Sequence, residues 1–220
     1  LDTLSISLSL GQGTNLENRD ENSLGKFGYG LKGSSLFVGK EVEVFSWQNN
    51  GSVYSVKLDL DEIERTQTQY LDSPSIKKIP KEYIDIIKDK KGDSGTLVVW
   101  RNLDKIKITK AETFYRHLSN DASRIFRHFL DDDDTHGVKK DIQVTLVDRN
   151  NKIETKILES NDPLFLLRPN NLPGEYKNQE TNMVFGKKIS EMFEYEHGKF
   201  TNVEFNFTIA KPEIQAATGS

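Results

Sequence analysis

Four glycines fall within the nine residues Gly25–Gly33, spaced Gly-x-x-Gly-x-Gly-x-x-Gly, and this run constrains the chain more than any other feature. Glycine has no Cβ, so its backbone amides can approach a neighbouring group closely, whereas a helix or strand interior gains nothing from such density. An almost wholly polar stretch, residues 11–22, precedes the run, and Ser34-Ser35-Leu36-Phe37-Val38 follows it. A short helix entered directly from the glycines is expected there. If it starts between Tyr29 and Lys32, its unpaired amides and the positive end of its dipole face whatever the glycines approach, which suits phosphate. Gly25, Gly28 and Gly30, with the amides of Lys26, Phe27, Tyr29 and Leu31, are then candidate phosphate donors, and Lys32 adds a point charge. The order is not that of a dinucleotide-binding Gly-x-G-x-x-Gly turn after a strand, and no Gly-Lys-Ser/Thr ends it as in a P-loop. A Gly-rich turn that only packs tightly is the competing reading.

Beyond the glycines the pattern changes to alternation. Glu41–Trp47 places Val42, Val44 and Ser46 on one face, and Val53–Leu60 resumes the alternation after Asn50-Gly51, a hairpin signal. Residues 61–93 are charged and irregular, with a short helix expected around Pro80–Lys88, and Thr96–Trp100 reads as an apolar strand. Across Thr109–Leu130, Phe114, Leu118, Ala122, Ile125, Phe126 and Phe129 recur at spacings of three and four, as one face of an amphipathic helix requires, and the aromatic residues are read as core. Asp131–Asp134 is expected to be a solvated turn, because aspartates are unfavourable at the negative end of a helix dipole. Ile142–Val147 and Lys152–Leu158 flank Asp148–Asn151 as a second hairpin, Leu167–Asn178 reads as a loop, and Val203–Ile209 as a strand. The fold class is therefore α/β, with a domain boundary expected within 131–140.

Composition narrows the partners. Thirty Lys and Arg against thirty-four Asp and Glu give 30 − 34 = −4, so no global positive charge supports a nucleic-acid partner. No run approaches the ~18–20 apolar residues that span a bilayer, and the amino terminus lacks the order of a signal peptide. The chain has no Cys, hence no disulfide or thiolate metal site. A soluble cytoplasmic protein, or a nuclear one in a eukaryote, is expected. His117 and His128 lie eleven residues apart on the long helix, while His136 and His197 stand alone, so no metal site is assigned. Arg116, Arg124 and Arg127 with Lys139 and Lys140 read as a solvated face. No Ser-His-Asp or Cys-His constellation has supporting context, and no catalytic residue is assigned. The chain starts at Leu1 and ends in small and polar residues, so both ends are expected to be cuts through a longer protein.

Taken in order, these motifs resemble the GHKL superfamily of ATPases, named for gyrase, the large heat-shock chaperone, histidine kinases and MutL. Leu24–Ser35 is similar to that superfamily's phosphate-binding segment, and Leu36–Trp47 to its helix end and following strand. Asp93–Val99 resembles the Gly-Thr strand that lines the adenine pocket, which implies that Thr96 lies near the base. Leu4–Leu10 with Gly11-Gln12-Gly13-Thr14 is similar to the helix and start of the ATP lid, which makes Thr14 a lid residue. The long helix and the strand pair ending in Asn161–Phe165 resemble the MORC-like and bacterial heat-shock-type branch.

The resemblance covers residues 1–165 and implies a two-layer sandwich of a mixed sheet and helices. Residues 1–135 would form part of the ATP-binding domain, and 136–220 the start of a second, transducer-like α/β domain. It implies ATP and Mg²⁺ as cofactors, closure of the 11–24 lid, an ATP-dependent homodimer, and slow hydrolysis that resets the cycle. The superfamily's water-activating Glu, its Mg²⁺-binding Asn and its Asp-x-Gly-x-Gly segment have no counterpart in the sequence. They are expected upstream of Leu1, so this chain alone is expected to be inactive. A nucleotide-binding pseudo-enzyme and a scaffold module without nucleotide are the rival readings, and DNA handling or defence rests on analogy alone.

Overall fold

Alternating side chains in two neighbouring segments create the first strands: β1 (Glu41–Trp47) and β2 (Tyr54–Asp59) pair antiparallel with Val44 opposite Val56. The expected hairpin is present. Asn49 and Asn50 adopt left-handed conformations in the turn, and the Asn50 amide and side chain donate to the Asp93 carbonyl and carboxylate, each at 2.8 Å. β4 (Gly95–Arg101) pairs with the other edge of β1, and the short β3 (Ser75–Ile76) with β2. The resulting sheet has the order β3-β2-β1-β4, every pairing antiparallel. The computed structural model describes residues 2–8, 30–68, 70–87, 92–131, 140–147, 150, 152–162, 164, 182–184, 189–205, 207–210 and 212. These fall into two units, 1–109 and 110–220.

In the first unit β1 is central and covered on both faces. Val42 and Val44, with Val56 and Leu58 of β2, pack under Leu4 and Leu8 at α1 (Asp2–Ser7) and under Leu31 and Leu36 of α2 (Gly30–Val38). Phe45 and Trp47 point the other way, against Val99, Ile79 and the Tyr83 and Ile87 side chains of α4 (Lys81–Ile87). The helix at 81–87 meets the expectation for that segment. A further helix, α3 (Leu60–Thr66), lies where irregular chain was expected. Its start is set by Asp59, whose carboxylate accepts from the Glu62 amide at 3.2 Å, and Gln67 closes it in the left-handed region.

The second unit departs further from the sequence pattern. The long helix divides at Phe126 into α5 (Ala111–Ile125) and α6 (Arg127–Leu130). The expected core face is met only in part: Tyr115, Ala122, Phe126 and Phe129 are half-buried, but Phe114, Leu118 and Ile125 remain exposed, while Ser123 and Leu130 are buried. On the side where Ser123 is buried, the Asn161 amide donates to the Ser123 carbonyl and the Asn161 side chain to that of Asn120. Asp131 is likewise buried rather than solvated, and 132–134 lie outside the described residues.

β5 (Gln143–Val147) and β6 (Ile153–Ile157) form the expected hairpin, with Lys156 bound to Glu112 and lying 4.5 Å from the Tyr115 ring centroid. The expected strand at 203–209 is shared between β9 (Lys199–Phe205), hairpinned to β8 (Ile189–Glu196), and β10 (Thr208–Ala210), paired with β7 (Asn182–Val184). The expected loop at 167–178 lies outside the described residues. No described helix is long and apolar enough to cross a membrane.

Candidate functional site

α2 begins at Gly30, inside the window set by the glycine spacing, so Gly30, Leu31 and Lys32 form its first turn. Gly25, Lys26, Phe27, Gly28, Tyr29 and Thr14 lie outside the described residues. Leu31 packs into the cluster around Leu4 and Val44. Lys32 is only 6 % exposed, yet it makes no hydrogen bond or ion pair among the described residues. Its aliphatic stem is packed away while the ammonium, which is not among the buried unpartnered atoms, keeps access to solvent and is open to an anion.

The far end of α2 is fixed to the sheet. Ser35, fully buried, accepts a 2.7 Å hydrogen bond from the Trp100 indole of β4. At Gly39 the chain passes so close to β4 that a Cβ would lie 2.8 Å from the Arg101 carbonyl oxygen, and the Lys40 amide donates to the Asn102 carbonyl at 3.1 Å. Only glycine fits that approach. The helix therefore leaves the sheet from a rigid anchor, and its first turn is held by packing rather than by the glycine run alone.

Thr96 occupies β4 opposite Ser46 of β1, which in turn stands opposite Tyr54 of β2. Alternation assigns these three to the face covered by α1 and α2, since Val98 packs in that cluster and Trp100 reaches Ser35. Successive rows on this face are hydroxyl (Thr96, Ser46, Tyr54), then valine (Val98, Val44, Val56), then Trp100, Val42 and Leu58. At the hydroxyl end a cavity of about 350 Å³ opens beside Thr3 and Leu4 of α1, with Ser46 and Tyr54 on its wall. The neighbouring Gly95 is required for packing: a Cβ there would lie 2.5 Å from the Trp47 ring. Gly30, Leu31, Lys32 and Thr96 thus share the helix-covered side of one sheet. Ser46 and Tyr54 were not singled out as site residues, although Ser46 is the polar end of an otherwise valine face.

The opposite face carries the strongest charge coupling. Glu43, almost fully buried, accepts from Lys77 at 2.6 Å and Arg101 at 3.0 Å, and Arg101 also binds Glu41 at 2.7 Å. Burial pushes the Glu43 carboxyl up, but the two cationic donors outweigh it and hold the group below the usual carboxylate range. So paired, Glu43 is a structural carboxylate and a poor proton acceptor. Among the described residues no three His, Asp or Glu side chains come together to hold a metal ion, and His117 and His128 lie on α5 and α6 of the second unit.

No curated protein matches the chain. A family model does: residues 2–96, the segment that contains α1, the glycine run, α2 and the sheet up to Thr96, match the family described as histidine kinase-, DNA gyrase B-, and HSP90-like ATPase. Residues 2–96 are therefore similar to a GHKL-type ATPase domain, a family that generally binds ATP with Mg²⁺.

Proposed function

We propose that this domain is the phosphate-binding side of an ATP-driven conformational switch. Gly25, Gly28 and Gly30, with amides from Lys26 to Leu31, hold the triphosphate at the head of α2, Lys32 neutralises part of its charge, and Thr96 lies beside the adenine. Thr14 belongs to a lid, residues 11–24, that closes over the nucleotide. Closure drives dimerisation or a change of shape, and slow hydrolysis reverses it. In this reading 1–135 serve the nucleotide and 136–220 open a transducer-like module of the MORC-like or heat-shock-type branch.

The observation that carries the proposal is Lys32, a packed residue whose ammonium has no hydrogen bond or ion pair among the described residues, in the first turn of a helix that follows the glycine run in sequence. A polyphosphate supplies the missing charge, and the helix dipole favours it at the same place. The residues present fit the phosphate chain in this respect. Among the described residues no three His, Asp or Glu side chains come together to hold Mg²⁺. Hydrolysis needs metal-holding and water-activating groups as well as a cradle. Titration calorimetry with Mg²⁺ and the non-hydrolysable analogue AMP-PNP tests the reading: saturable binding to this chain is expected. Absence of binding favours the scaffold reading, and binding of ATP without turnover favours the pseudo-enzyme.

A further inference from the structure

A second cavity, of about 570 Å³, lies within the second unit between α5 and the chain leaving β6. Ser160 lines it, 4 % exposed, with a buried hydroxyl that has no hydrogen-bond partner. Ser123, a largely buried residue, lines it from α5 with a hydroxyl that makes no hydrogen bond and, unlike that of Ser160, is not itself a buried atom. Asn161 donates to the Asn120 side-chain oxygen at 3.2 Å, which leaves the Asn120 amide nitrogen available as a donor on the same wall. Arg116 also lines the cavity, exposed and in no ion pair. The carboxylate on the lining, Glu159, has a partner of its own.

Donors dominate this inventory: a guanidinium fork, an amide and two hydroxyls. A buried hydroxyl left unpaired is costly in a folded protein and calls for an occupant that accepts hydrogen bonds. A cation would be repelled by Arg116, and an apolar ligand would leave the hydroxyls as they are. An oxyanion satisfies all four groups, with the guanidinium able to hold two of its oxygens. The volume exceeds that of a bare phosphate and lies within the range of small-molecule sites. We propose that this cavity binds a phosphate-bearing ligand through Arg116, Asn120, Ser123 and Ser160, as a site separate from the Gly30–Thr96 face and independent of the nucleotide reading.

The test uses the 220-residue chain carrying Lys32→Met, so that phosphate at the head of α2 does not contribute. Inorganic phosphate and phenyl phosphate are titrated separately at constant ionic strength and followed by backbone amide chemical shifts. Saturable shifts are expected at 119–123 and 158–161, with acetate much weaker. Arg116→Gln should weaken phosphate binding about tenfold, the loss of a charge-assisted pair, and Ser160→Ala about threefold. Tighter binding of phenyl phosphate assigns a phosphomonoester, and equal binding assigns the free anion. Without ligand, Ser160→Ala should melt at or above the parent, because it removes an unsatisfied buried hydroxyl. Shifts confined to other residues, affinities unchanged in both variants, or a lower melting temperature for Ser160→Ala would each overturn the assignment.

Discussion

Replacing Lys32 with Met separates what the residue costs the empty domain from what it contributes when nucleotide is bound. Met keeps most of the aliphatic stem and matches Lys in helix propensity, so the change is chiefly the loss of the charge. Lys32 is 6 % exposed as a residue, but its ammonium is not among the buried unpartnered atoms, so removing the charge relieves little in the empty domain. The empty variant should therefore melt close to the parent. With AMP-PNP at a hundred times the parent Kd, the parent gains ~2.7 kcal/mol. A charge-assisted contact is worth ~1.5–3 kcal/mol, so the variant binds at least tenfold more weakly and gains only ~1.4 kcal/mol at the same concentration. Differential scanning calorimetry with and without ligand reads both quantities. A variant that gains as much from AMP-PNP as the parent would refute the assignment of Lys32 to the triphosphate.

The remaining predictions concern the frame that holds the site. Gly95→Ala should destabilise the first unit by ~1–3 kcal/mol in urea titrations, because the new Cβ meets the buried Trp47 ring, and Trp47 fluorescence should report the displacement. Asp59→Ala removes the cap of α3 and should cost ~1 kcal/mol, restored in large part by Asp59→Asn. The Glu43 carboxyl is held below its unfolded value of ~4.3, so its contribution is complete above that pH and is lost as pH falls through the lower folded value. Acid unfolding monitored by circular dichroism should consequently be less steep below about pH 4 in Glu43→Gln than in the parent.

Local signals were the legible ones. The glycine spacing predicted a helix start between Tyr29 and Lys32, which the described α2 from Gly30 fits, and alternation in Glu41–Trp47 matches β1 in both bounds, because each depends on backbone freedom or side-chain period within a few residues. The α3 cap was also present in the sequence, as Asp59 three residues before Glu62, but the charged stretch around it obscured the signal. Tertiary placement was less legible. Phe114, Leu118 and Ile125 have the spacing of a core-facing stripe, yet they stay exposed, while Asn161 bonds to α5 at Ser123 and Asn120. The hydroxyl row of Thr96, Ser46 and Tyr54 depends on the register of three strands, which no single segment encodes. The isolation of Lys32 depends on burial by neighbours distant in sequence, so the residue could be named in advance but its missing partner could not.

Amide chemical shifts of the uniformly labelled 220-residue chain, recorded as AMP-PNP and Mg²⁺ are added, interrogate the nucleotide reading at its source. Saturable changes should be largest from Gly25 to Lys32, with Thr96 responding in the same concentration range. Shifts scattered over the surface, or concentrated elsewhere while Gly30–Lys32 stay still, would mean that the head of α2 is not where the triphosphate sits.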